Sequence, residues 1–339
     1  MLTTPRHGRR TIEAISTDTL SNSIDNLYGQ ATALLSEREL IPAAGLDKHN
    51  KYVQRLLNAA ADQRLITVAD LIGRSTAVIA IACDVEPSAL TKFSKPKITN
   101  RIHTARNILT ALLTAGAAAQ GDDPTSAAAL IQPVGHRRGG KERPLRDDEI
   151  VLARILAEYT YERGGRRAIA ALQYTLTEAG AWPSETVLVT GSDLDNIDAP
   201  TTLAVKGVNQ RAAARHITLD PWSANHIGRE ARTVATRYPG AIHTDRLAFT
   251  GLSGNRSPQA SSAVNTGVGR FLEDAGIVDL SVAASSPSKW RVLQVMEKEG
   301  VLAAMHASGH TRTITFRTWL GLSDKAVEGL PARIRRPGA

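Results

Sequence analysis

Between residues 116 and 143 the helical spacing of apolar residues that governs the chain on either side stops. The stretch holds GDDPTS, then Pro133, then HRRGGKER: glycine, proline and charge with no apolar period, which is linker composition. Such a break in a chain of 339 residues divides it into two domains of ordinary size. Hydrophobic residues make up 42% of the chain, enough to fill two cores, but aromatic residues only 4%. The cores are therefore built from Ala, Leu, Val and Ile, and Ala-rich apolar runs favour helix. The net charge is +8, with a pI near 9.8. A basic chain suits a polyanionic partner, and nucleic acid is the usual one. The alternative, that the charge serves solubility or reflects a biased genome, stays open at this point.

Residues 1–15 are basic and weakly patterned, a loose arm. Residues 19–40 carry Leu20, Ile24, Leu27, Ala31, Leu34 and Leu35 at helical spacing, with Pro42 and Gly45 ending the run. Residues 48–62 repeat the pattern with Val53, Leu56, Leu57 and Ala60 on one face. Residues 75–93, STAVIAIACDVEPSALTKF, are more specific. Their frame is that of a helix-turn-helix: a small residue where two helices cross (Ala80), a turn residue able to adopt the left-handed conformation (Asp84), and an apolar residue holding the second helix (Leu90). Asp84 departs from the usual glycine, although Asp tolerates that conformation better than most residues. Ser88, Ala89, Thr91 and Lys92 would face the major groove, with Lys95, Lys97, Arg101 and Arg106 close behind. An ordinary pair of Ala-rich helices fits the same residues. Residues 98–115 form another helix, with Arg101 and Arg106 flanking its apolar stripe. In the linker, His136, Arg137, Arg138, Lys141 and Arg143 would track phosphates, or else form a solvated tether.

The single cysteine, Cys83, excludes an intrachain disulfide, and no CxxC exists for zinc, which fits a reducing cytoplasm. No apolar segment follows Arg6, Arg9 and Arg10 as in a signal peptide, and none is long enough to span a bilayer.

After Pro144 a helix is expected, with Asp147 as its cap and Glu149 in its first turn. Residues 166–177 are apolar and helical, and EAGAWPSETVLVTGSDLD occupies 178–195. Residues 201–219 hold two short β-like runs about a Lys206–Gly207 turn, as in a hairpin. Residues 221–237 read as helix, 253–262 as a polar loop, and 264–275 as an amphipathic helix ended by Gly276. Residues 287–319 set Arg291 at the opening of a helix-like run, then Ser308, Gly309 and His310, then Phe316 and Trp319. Residues 323–330 read as a last short helix before a basic tail with Arg333, Arg335 and Arg336.

Taken in this order, these features resemble the tyrosine recombinases, or phage integrases. In that family a G-x-R-x-x-E turn precedes an acidic D-x-D, a lysine sits on a small hairpin, an H-x-x-R opens a late helix, and a Gly-His precedes the nucleophilic tyrosine. Gly180, Glu185, Asp193, Asp195, Lys206, Arg291, Gly309 and His310 fit that frame. Three positions depart from it: Trp182 stands for the first arginine, Ser288 for the first histidine, and Trp319 for the tyrosine. The segment from Arg291 to His310 is also shorter than the family's by about one helical turn. The resemblance implies a vestigial pocket of Lys206, Arg291 and His310 with no catalytic residue expected, because an indole has no hydroxyl to attack phosphorus and groups acting as a unit fail together.

The expected fold is mainly α with a small β-sheet, as a two-domain clamp on DNA. Its parts are an arm and helix (1–44), a helical DNA-binding domain of core-binding or helix-turn-helix type (45–118), a basic linker (119–143), an integrase-like domain (144–322) and a basic tail (323–339). The expected partner is double-stranded DNA at a specific operator or attachment-like site, with self-association on DNA, no membrane, no cofactor and no metal. Beside the N-terminal and linker residues already named, the expected contacts include Lys206, Arg215, Lys289, Arg291, His310 and Arg312. The expected function is a sequence-specific, cytoplasmic DNA-binding repressor of phage or mobile-element origin without recombinase activity. Two alternatives stand beside it: a divergent active recombinase using another residue, with Ser308, Thr311, Thr313 and Thr315 nearby, or a partner's nucleophile, and an accessory architectural factor. A metal pair of His306 and His310 has no visible third ligand.

Overall fold

The computed structural model describes residues 15–90, 96–131, 142–164, 166–207, 212–237, 246–248 and 258–332. Thr91, Lys92, Lys95, Arg137, Arg138, Lys141 and the tail arginines lie outside the described residues. The fold is mainly helical with one two-stranded antiparallel sheet. It separates into two compact units: 1–137 with 147–159 and 274–277, and 138–146 with 160–273 and 278–339.

The first unit begins with α1 (Thr17–Ser21) and α2 (Ile24–Glu37). Sequence spacing predicts one helix here; Ser23 divides it by capping α2 through the Asn26 N–H while bridging Thr67. Then come α3 (Leu46–Asp62), α4 (Val68–Gly73), α5 (Ser75–Cys83), α6 (Pro96–Ala119), α7 (Pro124–Ala128) and α8 (Asp147–Arg163), whose residues from 160 on belong to the second unit. Helices α2 and α3 pack on α6. The approach of α2 is so close that a Cβ on Gly116 would overlap the Leu27 side chain. The expected linker starts later than its composition suggests. Asp123 caps α7, Pro124 opens it, and all its residues are buried, so residues 124–131 belong to the packed unit.

Asp84 does end α5 in the left-handed conformation (φ 54°, ψ 56°), and Ala80 and Leu90 are buried. The next element within the described residues is a 3₁₀ turn, Pro87–Leu90, rather than an α-helix. Two of the basic residues expected on DNA are spent inside the fold. Arg101 donates to the Cys83 carbonyl, a cation at the C-terminus of α5. Arg106 is 4% exposed and donates to Gly276 O, Ile131 O and Asn107 Oδ1, so its guanidinium does not reach a phosphate. Lys97 and Ser88 remain exposed.

In the second unit, α9 (Arg166–Ala179), α10 (Pro183–Thr186), β1 (Thr202–Val205), β2 (Arg215–Thr218), α11 (Pro221–Arg237) and α12 (Pro258–Asp274) surround a core that includes Leu176, Val189, Leu203, Ile217 and Ile227. Val205 pairs with Arg215, so Lys206 and Gly207 begin a longer connection instead of a tight turn. Helix α12 starts at Pro258, so 258–262 are helix where a loop was expected. The chain continues through α13 (Ser286–Glu299), α14 (Val301–Ser308) and α15 (Thr313–Leu320), which enclose Val292, Ala304, Met305 and Phe316. The last short helix is a 3₁₀ turn, Asp324–Val327. Among the described residues, no helix is long and apolar enough to cross a membrane.

Candidate functional site

The site forms where α14 stops. Gly309 adopts φ 76°, and a Cβ there would stand 2.9 Å from Arg215 Nη1 and 3.1 Å from the Ala213 backbone. Its carbonyl accepts the Ala213 N–H at 2.9 Å. Both the dihedral and the close approach require glycine. The turn directs His310 inward, where it is 2% exposed. Because α14 ends first, His306 and His310 do not share a helix face as metal ligands would, and His306 faces solvent.

Arg215 opens β2, whose alternation buries Arg215 and Ile217. Its guanidinium forks onto Glu185 at 2.7 and 3.0 Å, and also donates to Gly180 O and Ala307 O. The two side chains are 3% and 1% exposed, a buried pair that holds only because every donor finds an acceptor. Glu185 also accepts the Trp182 N–H at 2.7 Å, which fixes the start of α10.

Trp182 donates Nε1–H to Ser308 O at 3.0 Å. Its ring lies nearly parallel to that of Trp319, at 5° with centroids 5.7 Å apart. His310 leans against both indoles at 5.2 and 4.9 Å, and Phe316 meets it edge-on. Lys289 Nζ lies 5.6 Å from the Trp319 centroid and pairs with Glu142 at 3.3 Å. Of the three positions that depart from the expected sequence frame, Trp182 and Trp319 stack together, and Ser288 is buried with its hydroxyl bonded back to Ser285 O.

His310 has a defined chemistry. The Ser308 hydroxyl gives its one hydrogen to Met305 O, so His310 Nδ1–H donates to Ser308 Oγ at 3.0 Å. Nε2 then carries a lone pair, buried and, among the described residues, without a partner. Burial, with the nearby Arg215 guanidinium second, lowers the imidazole pKa to about 4, so it is neutral at pH 7. An imidazole does stand beside a candidate hydroxyl nucleophile, but Ser308 is fully buried and its proton points the other way.

The remaining expected residues are spread around this centre. Arg291 donates to Thr218 O at 3.0 Å beside the Gly180 turn and stays half-exposed. Lys206 is exposed and pairs with Asp193 at 3.5 Å. Arg312 is exposed at the start of α15. Arg215 and Lys289, expected on a DNA surface, are enclosed and neutralised by carboxylates instead. Glu142, the partner of Lys289, carried no sequence signal beyond its place in the charged run.

No family model and no curated protein matches this chain. Solved structures do. A lambda integrase dimer bound to a COC′ core site is 13% identical, with a TM-score of 0.38, over 94% of this chain and 82% of that one. XerA recombinase is 16% identical, with a TM-score of 0.42, over 89% and 96%. XerH site-specific recombinase bound to a palindromic difH substrate is 13% identical, with a TM-score of 0.43, over 93% and 90%. At these values the likeness is one of chain path alone.

Proposed function

We propose that this protein binds a specific sequence in double-stranded DNA without cutting it, as a transcriptional repressor of phage or mobile-element origin. One observation carries the reading: Trp182 and Trp319, which the sequence resemblance aligns with a phosphate-binding arginine and a phenol nucleophile, stack on each other. Two indoles supply neither the bidentate donor nor the attacking oxygen that phosphodiester cleavage needs. The surrounding charges support it. Arg215 is neutralised by Glu185, Lys289 by Glu142, and His310 is neutral, so the centre offers little to a pentacoordinate phosphate. The chain's net charge of +8 favours a polyanionic partner.

The test is a duplex carrying a nick beside each candidate cleavage position, drawn from sequences the protein selects from a random pool. Retarded migration on a native gel, with no protein–DNA adduct on a denaturing gel, is expected. A covalent adduct would overturn the reading.

A further inference from the structure

We infer that the solvent side of α3 reads base edges in the major groove, with Asn50, Gln54 and Asn58 on bases and Lys51 and Arg55 on flanking phosphates. This rests on the DNA-binding reading above and adds to it the residues that set sequence preference. Helix α3 buries His49, Tyr52, Val53, Leu56, Ala59 and Ala60. Its opposite side exposes Asn50, Lys51, Gln54 and Asn58, with Arg55 half-exposed.

The composition of that side is unusual for a merely solvated face. Such faces mix Glu with Lys at four-residue spacing, so that charges compensate. Between Asp47 and Asp62 this helix has no carboxylate. Among the described residues neither Lys51 nor Arg55 is ion-paired, although Arg55 lies over the Tyr52 ring. Asparagine is a poor helix former, yet it stands twice in the helix interior, at steps of one turn with Gln54 between. Amides and cations without acids are the side chains that pair with base edges and phosphates.

One contact sharpens the ligand chemistry. Gln54 Nε2 donates to Asn58 Oδ1 at 2.9 Å. That bond leaves Gln54 Oε1 as an acceptor and Asn58 Nδ2 as a donor. Adenine presents the complement in the major groove, an N6–H donor beside the N7 acceptor. The helix is 17 residues long, and an α-helix fits that groove.

Selection from a random duplex pool by the full chain tests this, followed by affinity measurements over a range of salt. Wild-type protein is expected to enrich a motif with adenine at one or more fixed positions. Gln54→Ala combined with Asn58→Ala is expected to bind that motif about 10- to 100-fold more weakly, with binding to unrelated duplex unchanged. Lys51→Ala is expected to weaken binding to both and to reduce the salt slope by about 1. These side chains face solvent, so circular dichroism should match wild type. A double amide variant that enriches the same motif with the same affinity overturns the inference and leaves the DNA-binding reading intact. Wild-type protein that binds no duplex overturns both.

Discussion

The cations on α3 and the cations around Trp182 are the same residue types put to opposite use. Lys51 and Arg55 project from a helix face with no carboxylate between Asp47 and Asp62. Arg215 and Lys289 are turned inward, each against a glutamate. Net charge alone does not distinguish these regions. Burial does, because a cation out of water must keep the acceptors that satisfy it, whereas one in water is free to turn to a phosphate. On the proposed reading α3 therefore offers charge to a polyanion, while the centre of the second unit uses charge to hold itself together.

The largest effect should come from breaking the inward side. Arg215→Met leaves Glu185, 1% exposed, without its fork of donors, and removes ties to Gly180 O and Ala307 O. We expect a loss of about 3–5 kcal/mol in stability by urea titration. The matching change on the outward side, Arg55→Met, should stay within about 0.5 kcal/mol in the same titration and lower duplex affinity instead. If Arg215→Met were as stable as wild type, the inward half of the contrast would fall.

A smaller effect is expected from pH, and each unit contains a probe. His49 in the first unit and His310 in the second are both lowered to about 4. Burial is the main cause in each; Asp148 opposes it at His49, and Arg215 adds to it at His310. The native state therefore resists a proton that the unfolded chain accepts near 6.5. Stability should be flat above pH 6.5 and fall as pH drops from 6.5 towards 4, by up to roughly 3 kcal/mol for each histidine. Urea midpoints from pH 8 to 4.5 measure this above most carboxylate titration. His49→Gln and His310→Gln should each flatten part of the slope, and a profile unchanged in both variants would contradict the assignment.

How much of this was legible in the sequence differs between the same two regions. Helical spacing marked α3, α6 and α9, and the frame around Asp84 placed a left-handed turn where one stands. The Gly309–His310 pair marked the second unit's centre. What spacing does not reveal is where a long side chain ends. Arg106 flanks an apolar stripe and reads as surface, but its carbonyl acceptors at Ile131 and Gly276 come from distant parts of the chain. Arg215 has the same difficulty, since its partner Glu185 lies thirty positions away. Residues 124–131 read as linker because small residues next to Gly and Pro carry no helical period, although alanines bury as readily as leucines. On α3 the sequence held the signal, but apolar spacing draws attention to the buried side and away from the amides opposite.

The smallest effect should come from Lys206, which stands between the two kinds of site. Its side chain is 58% exposed and meets Asp193 Oδ1 at 3.5 Å. Asp193 does not depend on it, because Oδ2 accepts the Thr190 N–H at 2.9 Å and the Thr190 hydroxyl at 3.0 Å. An exposed pair of this kind contributes about 0.5 kcal/mol or less, so Lys206→Ala should leave the urea midpoint nearly unchanged. In the wild type the same exposure lets Lys206 trade its carboxylate for a phosphate, so the variant should reduce the salt slope of duplex binding by about 1. A stability loss above about 2 kcal/mol would place Lys206 with Arg215, among the cations that hold the fold. An unchanged slope would remove it from the DNA surface and leave the outward charge to α3 and the exposed arginines.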